Sequence, residues 1–218
     1  IAEAAELTKF LGLSAEESGT LALNAQISGE NLKDGADEAI RAINPALSQR
    51  KILQDIAKLS AAIAVSFGNS NIALAKAASD AKELGLNLDQ VDKIAGSLLD
   101  IESSIAKEFE AEVISGRQLN LERARFFALT NDLAGVTREL TKQGIDQESF
   151  SKANRIEQEA IAAAVGLSRE ELAKSIQEQT LLAGMSQEEI KAKEAADLKA
   201  LTVQQSLSDS MAKIAEFA

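Results

Sequence analysis

One short motif occurs five times in the chain and predicts where helices end and begin. It consists of a glycine, an apolar residue, a capping residue and, two positions after the cap, an acid. The five copies are Gly12-Leu13-Ser14-Ala15-Glu16, Gly85-Leu86-Asn87-Leu88-Asp89, Gly144-Ile145-Asp146-Gln147-Glu148, Gly166-Leu167-Ser168-Arg169-Glu170 and Gly184-Met185-Ser186-Gln187-Glu188. Glycine can take the left-handed conformation that ends a helix, and Ser, Asn or Asp accepts a hydrogen bond from a free N–H of the next helix. The motif therefore predicts five helix-to-helix corners.

The residues around these corners predict how each new helix is fixed. In four copies a Glu or Gln follows the cap by three positions, as in a capping box, and these residues are Glu17, Gln90, Glu171 and Glu189. The apolar residue before the cap is expected to pack on the fourth helical residue. This pairs Leu86 with Val91, Ile145 with Phe150, Leu167 with Leu172 and Met185 with Ile190, whereas Leu13 would face Ser18. The intervals between copies share no period, so a solenoid is not predicted.

The composition agrees with a helical protein. Strong helix formers dominate the chain, its 218 residues include one proline, and alternating β-branched runs typical of strands are missing. The sequence therefore predicts an all-α fold, a multi-helix bundle of short capped helices with longer helices near 87–115 and 186–217. In full, helices are predicted near 2–11, 14–28, 34–43, 45–67, 71–84, 87–115, 120–130, 132–143, 146–165, 168–183 and 186–217.

The organisation along the chain is predicted from the second corner. We divide the chain there into an N-terminal helical region, 1–84, and a C-terminal helical region, 85–218. The chain begins with isoleucine and has no basic segment before an apolar one, so we expect no signal peptide and a chain that is part of a longer protein. The longest uncharged stretch, 59–75, contains several Ser, Gly and Asn residues. It falls short of a membrane span, which needs about 20 apolar residues, and predicts a buried helix end followed by a loop.

The absence of cysteine and histidine excludes many catalytic and metal-binding sites. Disulfides, zinc and haem sites, and the triads that depend on these residues are ruled out. No glycine-rich phosphate-binding motif is found. The carboxylates of Glu108, Glu110 and Glu112 are expected to form a solvent-exposed acidic face. We predict no enzyme, no metal, no cofactor and no small-molecule substrate, and keep a hydrolase or transferase based on Ser, Lys or carboxylates as the weakest alternative.

The charge balance argues against nucleic acid as a partner. The chain has 34 acidic and 23 basic residues, a net charge of -11, whereas nucleic-acid-binding surfaces are basic. Arg117, Arg123 and Arg125 stand beside Phe126 and Phe127, a combination that could stack and bind phosphate. We expect instead a helix that buries its phenylalanines and displays its arginines, and no direct nucleic-acid binding.

Two segments carry apolar residues at helical spacing. The first is a candidate partner-facing stripe formed by Val91, Ile94, Leu98, Ile101, Ile105 and Phe109, and continued by Val113. Such a stripe is either a surface for another helix or the ordinary core face of a folded helix, and the core face is the favoured interpretation. The second segment is 186–217, with Leu198, Leu201, Leu207, Met211, Ile214 and Phe217. It is predicted either to project and pair with another chain or to pack back.

Several stretches between residues 81 and 179 carry a family resemblance. They are Leu98-Leu99-Asp100-Ile101-Glu102-Ser103-Ser104-Ile105, Glu108-Phe109-Glu110-Ala111-Glu112, Ser115-Gly116-Arg117-Gln118-Leu119-Asn120-Leu121-Glu122-Arg123-Ala124-Arg125, Ala128-Leu129-Thr130-Asn131-Asp132-Leu133-Ala134-Gly135, Asn154-Arg155-Ile156-Glu157-Gln158-Glu159-Ala160 and Val165-Gly166-Leu167-Ser168. These stretches resemble helical segments of phage tail tape-measure proteins.

The resemblance implies a structural virion protein of the tail, assembled in the host cytoplasm. Tape-measure proteins are long helical chains inside the tail tube that set tail length during assembly and leave before DNA passes. The implied partners are copies of the chain or tail-tube proteins. The alternative is a helical adaptor or scaffold domain of a bacterial or viral interaction protein, because capped corners indicate a folded bundle rather than one long ruler helix.

Overall fold

A computed structural model describes residues 13–30 and 47–185, together with the single residues Glu38, Glu189, Ala192, Ala196 and Lys199. The described part of the chain is all helical, as predicted. Its eleven helices are α1 (Ala15–Ser28), α2 (Gln49–Ala57), α3 (Ala61–Ser66), α4 (Asn71–Glu83), α5 (Leu88–Leu99), α6 (Ile101–Ser115), α7 (Glu122–Leu129), α8 (Leu133–Lys142), α9 (Gln147–Lys152), α10 (Arg155–Ala164) and α11 (Arg169–Ala183). The predicted helices 2–11, 34–43 and 186–217 lie outside the described residues, apart from those five single positions.

The predicted corners begin α1, α5, α9 and α11. The caps Ser14, Asn87 and Ser168 form complete capping boxes with Glu17, Gln90 and Glu171. Asp146 forms another with Ser149, a partner that the sequence pattern did not indicate. Each box satisfies N–H groups that a helix start leaves free. The corner at Ser186 falls outside the described residues.

The prediction of a left-handed glycine is confirmed at three of the four corner glycines that the structure describes. Gly85, Gly144 and Gly166 have φ values of 68°, 60° and 78°. Gly184 was also expected to be left-handed, and this is wrong, because its φ is -88° and it continues the helical conformation. Here the N–H of Gly184 donates to the Thr180 carbonyl as in an unbroken helix, so no left-handed residue is needed.

Three predicted helices are each divided in two. The segment 45–67 breaks before Ser60, whose hydroxyl caps α3, and 146–165 breaks before Asn154, which caps α10 in a box with Glu157. The segment 87–115 breaks at Asp100, whose ψ of 76° is far from the helical value. Serine and asparagine are cap formers that offer free N–H groups an acceptor, whereas Asp100 makes no side-chain cap bond.

The apolar core takes residues from each of the eleven described helices and consists mainly of Leu, Ile, Val and Ala. Its fully buried members include Leu53, Leu74, Ile94, Leu133 and Ile161. α4 and α5 occupy the middle of the arrangement, since α4 contacts α1, α2, α5, α8 and α11, and α5 contacts α3, α4, α6, α7 and α8. α10 packs mainly on α6, and α9 on α11. The division into regions 1–84 and 85–218 stays a prediction.

Polar side chains tie distant helices to this core. The Asn71 side chain, at the start of α4, donates to the Leu21 carbonyl and accepts from Asn24 of α1. The carboxylate of Glu30 accepts from the Asn71 backbone N–H, 3.0 Å away, and from the Ser70 hydroxyl. Lys82 of α4 lies 3.7 Å from Asp55 of α2 and 3.0 Å from Glu178 of α11. Burial raises the pKa of the Asp55 carboxyl, and the Lys82 charge opposes that rise.

The corners before α5, α9 and α11 meet at one place. Leu86, Ile145 and Leu167, each the apolar residue before its cap, line the same cavity of about 40 Å³. Their predicted partners Val91, Phe150 and Leu172 are all buried in the core. The corner motif thus supplies core residues as well as helix starts. The Met185–Ile190 pair involves a residue outside the described part.

Candidate interaction surface

The predicted partner-facing stripe is divided between two environments. Val91, Ile94 and Leu98 lie on α5 and are 0 to 1 % exposed. They face the core helices, as the favoured interpretation of the stripe expected. These three residues are therefore structural and are not accessible to a partner.

The second half of the stripe lies on α6 and points outward. Ile101, Ile105 and Phe109 are 48 %, 51 % and 66 % exposed, and Val113, four residues further on, is 66 % exposed. Residues four apart in a helix lie on one side, so the four side chains form a continuous apolar face. We call Ile101, Ile105, Phe109 and Val113 the α6 face. For these residues the expectation of an ordinary core position was wrong.

The break at Asp100 and the packing of α6 explain the change. Because the chain leaves helical geometry at Asp100, the α5 repeat does not continue in phase into α6. α6 turns Ser104 and Ala111 into the protein, and these are its buried residues. Small side chains on α6 allow α10 to approach closely. On α10 itself, Ala160, Ala162 and Ala164 are buried. The large apolar residues of α6 are left on the solvent side.

Two acids of α6 bind the connection to α7. Glu108 accepts hydrogen bonds from the backbone N–H of Leu121 and from Arg125, at 2.9 Å and 2.6 Å. Glu112 accepts from the backbone N–H of Leu119 at 2.9 Å. The expectation of a solvent-exposed acidic face is therefore wrong for these two residues and correct for Glu110. The pattern did indicate that Glu108 and Glu112 share one side of the helix.

The arginine and phenylalanine cluster also differs from expectation. Arg125 is buried between Glu108 and Ser104, with a side chain only 13 % exposed. Arg117 donates to the carbonyls of Gln143 and Gly144. Phe126 is exposed rather than buried. These arginines hold the α6–α7 connection, because their donors are used by protein acceptors.

Phe127 is the second aromatic residue of this cluster. It is partly buried against the core, and its ring is covered by the guanidinium groups of Arg123 and Arg138, at 5.9 Å and 5.8 Å from the centroid. A cation over an aromatic face is attracted by the ring quadrupole. Arg123 and Arg138 also lie near carboxylates of the protein, Glu139 and Asp132, so both arginines contact groups of the same chain.

The charges around the α6 face are acidic. Asp100, Glu102 and Glu110 are exposed, and none of them makes an ion pair with another described residue. At 3.6 residues per turn, Glu102 falls within the face and Glu110 at its edge. Lys107 falls on the opposite side of the helix, where it is half-buried. The surface therefore combines large apolar side chains with carboxylates that have no ion-pair partner among the described residues.

The described residues give little support for other kinds of site. They contain no group of three or more acidic side chains placed to hold a metal ion. The pKa of the Glu171 carboxyl is lowered to about 2 by its hydrogen bond to Lys93 and by its capping role at Ser168. Glu171 lies at the start of α11, and its partners connect α11 to α5. Its charge has a structural role.

None of the helices in the described part combines the length and the apolar composition that a membrane crossing would require. No protein-family model matches the chain, and neither a search of curated proteins nor one of solved structures found a match.

Proposed function

We propose that the chain is a structural protein that works through helix–helix contacts, and that it belongs to a phage tail as a protein of tape-measure type. The observation that carries the first part is the α6 face, where four large apolar side chains lie exposed on one helix. Contiguous exposed apolar residues in a folded protein mark interaction sites. The second part rests on the resemblance of residues 81–179 to tape-measure segments.

The polar contacts that hold α6 in place support this assignment. Glu108, Glu112 and Arg125 fix α6 to its neighbouring connection, so the face is presented on a held helix. A binding surface on a regular element with locked neighbours loses less freedom when a partner docks. In this proposal the partners are copies of the chain or tail-tube proteins, the location is the virion tail, and assembly takes place in the host cytoplasm.

A helical adaptor or scaffold domain is the second candidate. It is favoured by the short helices and capped corners, since α3 and α9 have six residues each and a ruler would be expected to run as long uninterrupted helix. In the tape-measure proposal this chain is accordingly a folded portion of a longer protein. Both candidates use the same surface and differ in where the protein is found.

The test is localisation in particles made from the genome that encodes the chain. Antibodies against residues 47–185 should label tails or tail assembly intermediates in electron micrographs, with preimmune serum as the control. In-frame deletion of the segment should abolish tails or change their length. Normal tails of unchanged length, made without the segment, would overturn the tape-measure proposal and leave the adaptor.

A further inference from the structure

We propose that the α6 face binds an amphipathic helix of a different polypeptide, one that carries lysine or arginine residues beside its apolar stripe. This rests on the proposed function, because it names the chemistry of the partner that the helix–helix contact would take.

The apolar part of the surface fits a helix. Ile101, Ile105, Phe109 and Val113 follow one another at four-residue steps over the whole of α6. This spacing matches a helix that lies along α6 and inserts its own side chains between them. The large exposed fractions of Phe109 and Val113 place the greatest burial on binding near the C-terminal half of the face.

The charges select a basic partner. Glu102 falls within the face and Glu110 borders it, and neither has an ion-pair partner among the described residues. Docking an apolar helix over them would remove water from the carboxylates, which costs free energy unless opposite charges meet them. Lysine or arginine on the incoming helix provides those charges.

The same charges argue against a second copy. In an antiparallel pair of α6 helices, the acidic end of one face meets the acidic C-terminal half of the other, and Lys107 lies on the wrong side to compensate. The chain as a whole has a net charge of -11, so two copies also repel at longer range. An acidic or anionic membrane surface is disfavoured for the same reason.

The experiment uses the full 218-residue chain and two designed peptides. Each peptide is about 18 residues long, with leucine at three- and four-residue spacing; one carries lysine beside the leucines and the other glutamate. Affinity is measured by fluorescence anisotropy. The lysine peptide should bind, and binding should weaken between about 50 mM and about 500 mM salt as the charges are screened.

Two variants separate the apolar and the charged contributions. Phe109→Asp should weaken binding of the lysine peptide at least about tenfold. The double variant E102K/E110K should weaken the lysine peptide and strengthen the glutamate peptide. The matched control E16K/D92K makes the same change in net charge at exposed acids outside the α6 face and should leave the preference for the lysine peptide unchanged.

The outcomes distinguish this proposal from its rivals. Equal binding of both peptides, binding of neither, or an equal effect of the control variant would overturn it. Light scattering that shows a dimer lost in Phe109→Asp would assign the face to a second copy, and Phe109-dependent binding to phosphatidylglycerol vesicles would assign it to a membrane. Peptide selectivity without antibody label on tails would keep this inference and overturn only the tail assignment, whereas labelled tails without selectivity would do the reverse.

Discussion

α5 and α6 follow one another in the chain, carry apolar residues at similar spacing, and use them in opposite ways. α5 buries Val91, Ile94 and Leu98 in the centre of the protein, whereas α6 buries Ser104 and Ala111 and exposes its large residues. The two helices are also fixed differently. α5 begins with a complete capping box, and α6 begins at Asp100 without a side-chain cap. The comparison teaches that an apolar repeat identifies one side of a helix. The repeat does not show whether that side is buried within the same chain.

The largest effect on the free energy of unfolding is expected at the glycines that flank this pair of helices. Gly85 before α5 and Gly116 after α6 both have positive φ, so alanine is strained at either position. A Cβ at Gly85 would also lie 2.0 Å from the backbone oxygen of Ser175, whereas a Cβ at Gly116 would meet nothing within 4 Å. Gly85→Ala should cost about 3–5 kcal/mol and Gly116→Ala about 1–2 kcal/mol, as measured by urea unfolding. Equal losses would contradict the close approach of α11.

The next effect compares the same substitution on the two halves of the stripe. Ile94→Ala removes a fully buried side chain and should destabilise the protein by about 2–5 kcal/mol. Ile105→Ala removes a half-exposed one and should change stability by no more than about 0.5 kcal/mol. Thermal or urea unfolding of both variants provides the measurement. A large loss in Ile105→Ala would mean that the α6 face is covered within the chain itself.

A smaller effect compares the two helix starts. The Asn87 side chain accepts from the Gln90 N–H at 2.9 Å, so Asn87→Ala should cost about 1 kcal/mol. Asp100 makes no such bond, and Asp100→Ala should stay within about 0.5 kcal/mol. Both values come from urea unfolding at neutral pH. Equal losses in the free energy of unfolding would contradict a stabilising role for the Asn87 cap.

The smallest effect concerns a charge that fixes α5 to α11. Because Lys93 and Ser168 lower the pKa of Glu171 to about 2, the ionised carboxylate stabilises the folded protein. That contribution is complete above the unfolded value of about 4.5 and is lost as the pH falls towards 2. Lys93→Met should raise the pKa of Glu171, as followed by carboxyl NMR titration. Lys107→Met on α6 serves as the control and should leave that titration unchanged.

The sequence predicted well those features that depend on neighbouring residues. The caps at Ser14, Asn87, Asp146 and Ser168 are local hydrogen bonds, so spacing alone identifies them. The break before Asn154 also has a local signal, since Glu157 stands three positions later and completes a capping box. The break at Asp100 has no cap bond and no glycine or proline next to it, so no local signal predicts it.

The surface was harder to predict than the helices. The predicted stripe includes Ile101, Ile105 and Phe109, but their exposure is decided by which side of α6 meets α10. Glu108 and Arg125 are 17 positions apart in the sequence, and their side chains meet at 2.6 Å in the fold. Their roles therefore depend on tertiary structure. Helical periodicity places residues on a common side and contains no information about which side the rest of the protein will cover.

The bonds that Glu108 and Glu112 make to the Leu121 and Leu119 amides also restrict rotation of α6 about its own axis. Turning the apolar residues of α6 inward would require roughly a third of a turn of the helix and would release both amides together with Arg125. Within the described part of the chain, burying this side of α6 therefore costs the free energy of those lost hydrogen bonds. If a partner helix docks there as proposed, the exposed side of α6 would stay in water until that partner is made, and the timing of its synthesis would affect aggregation.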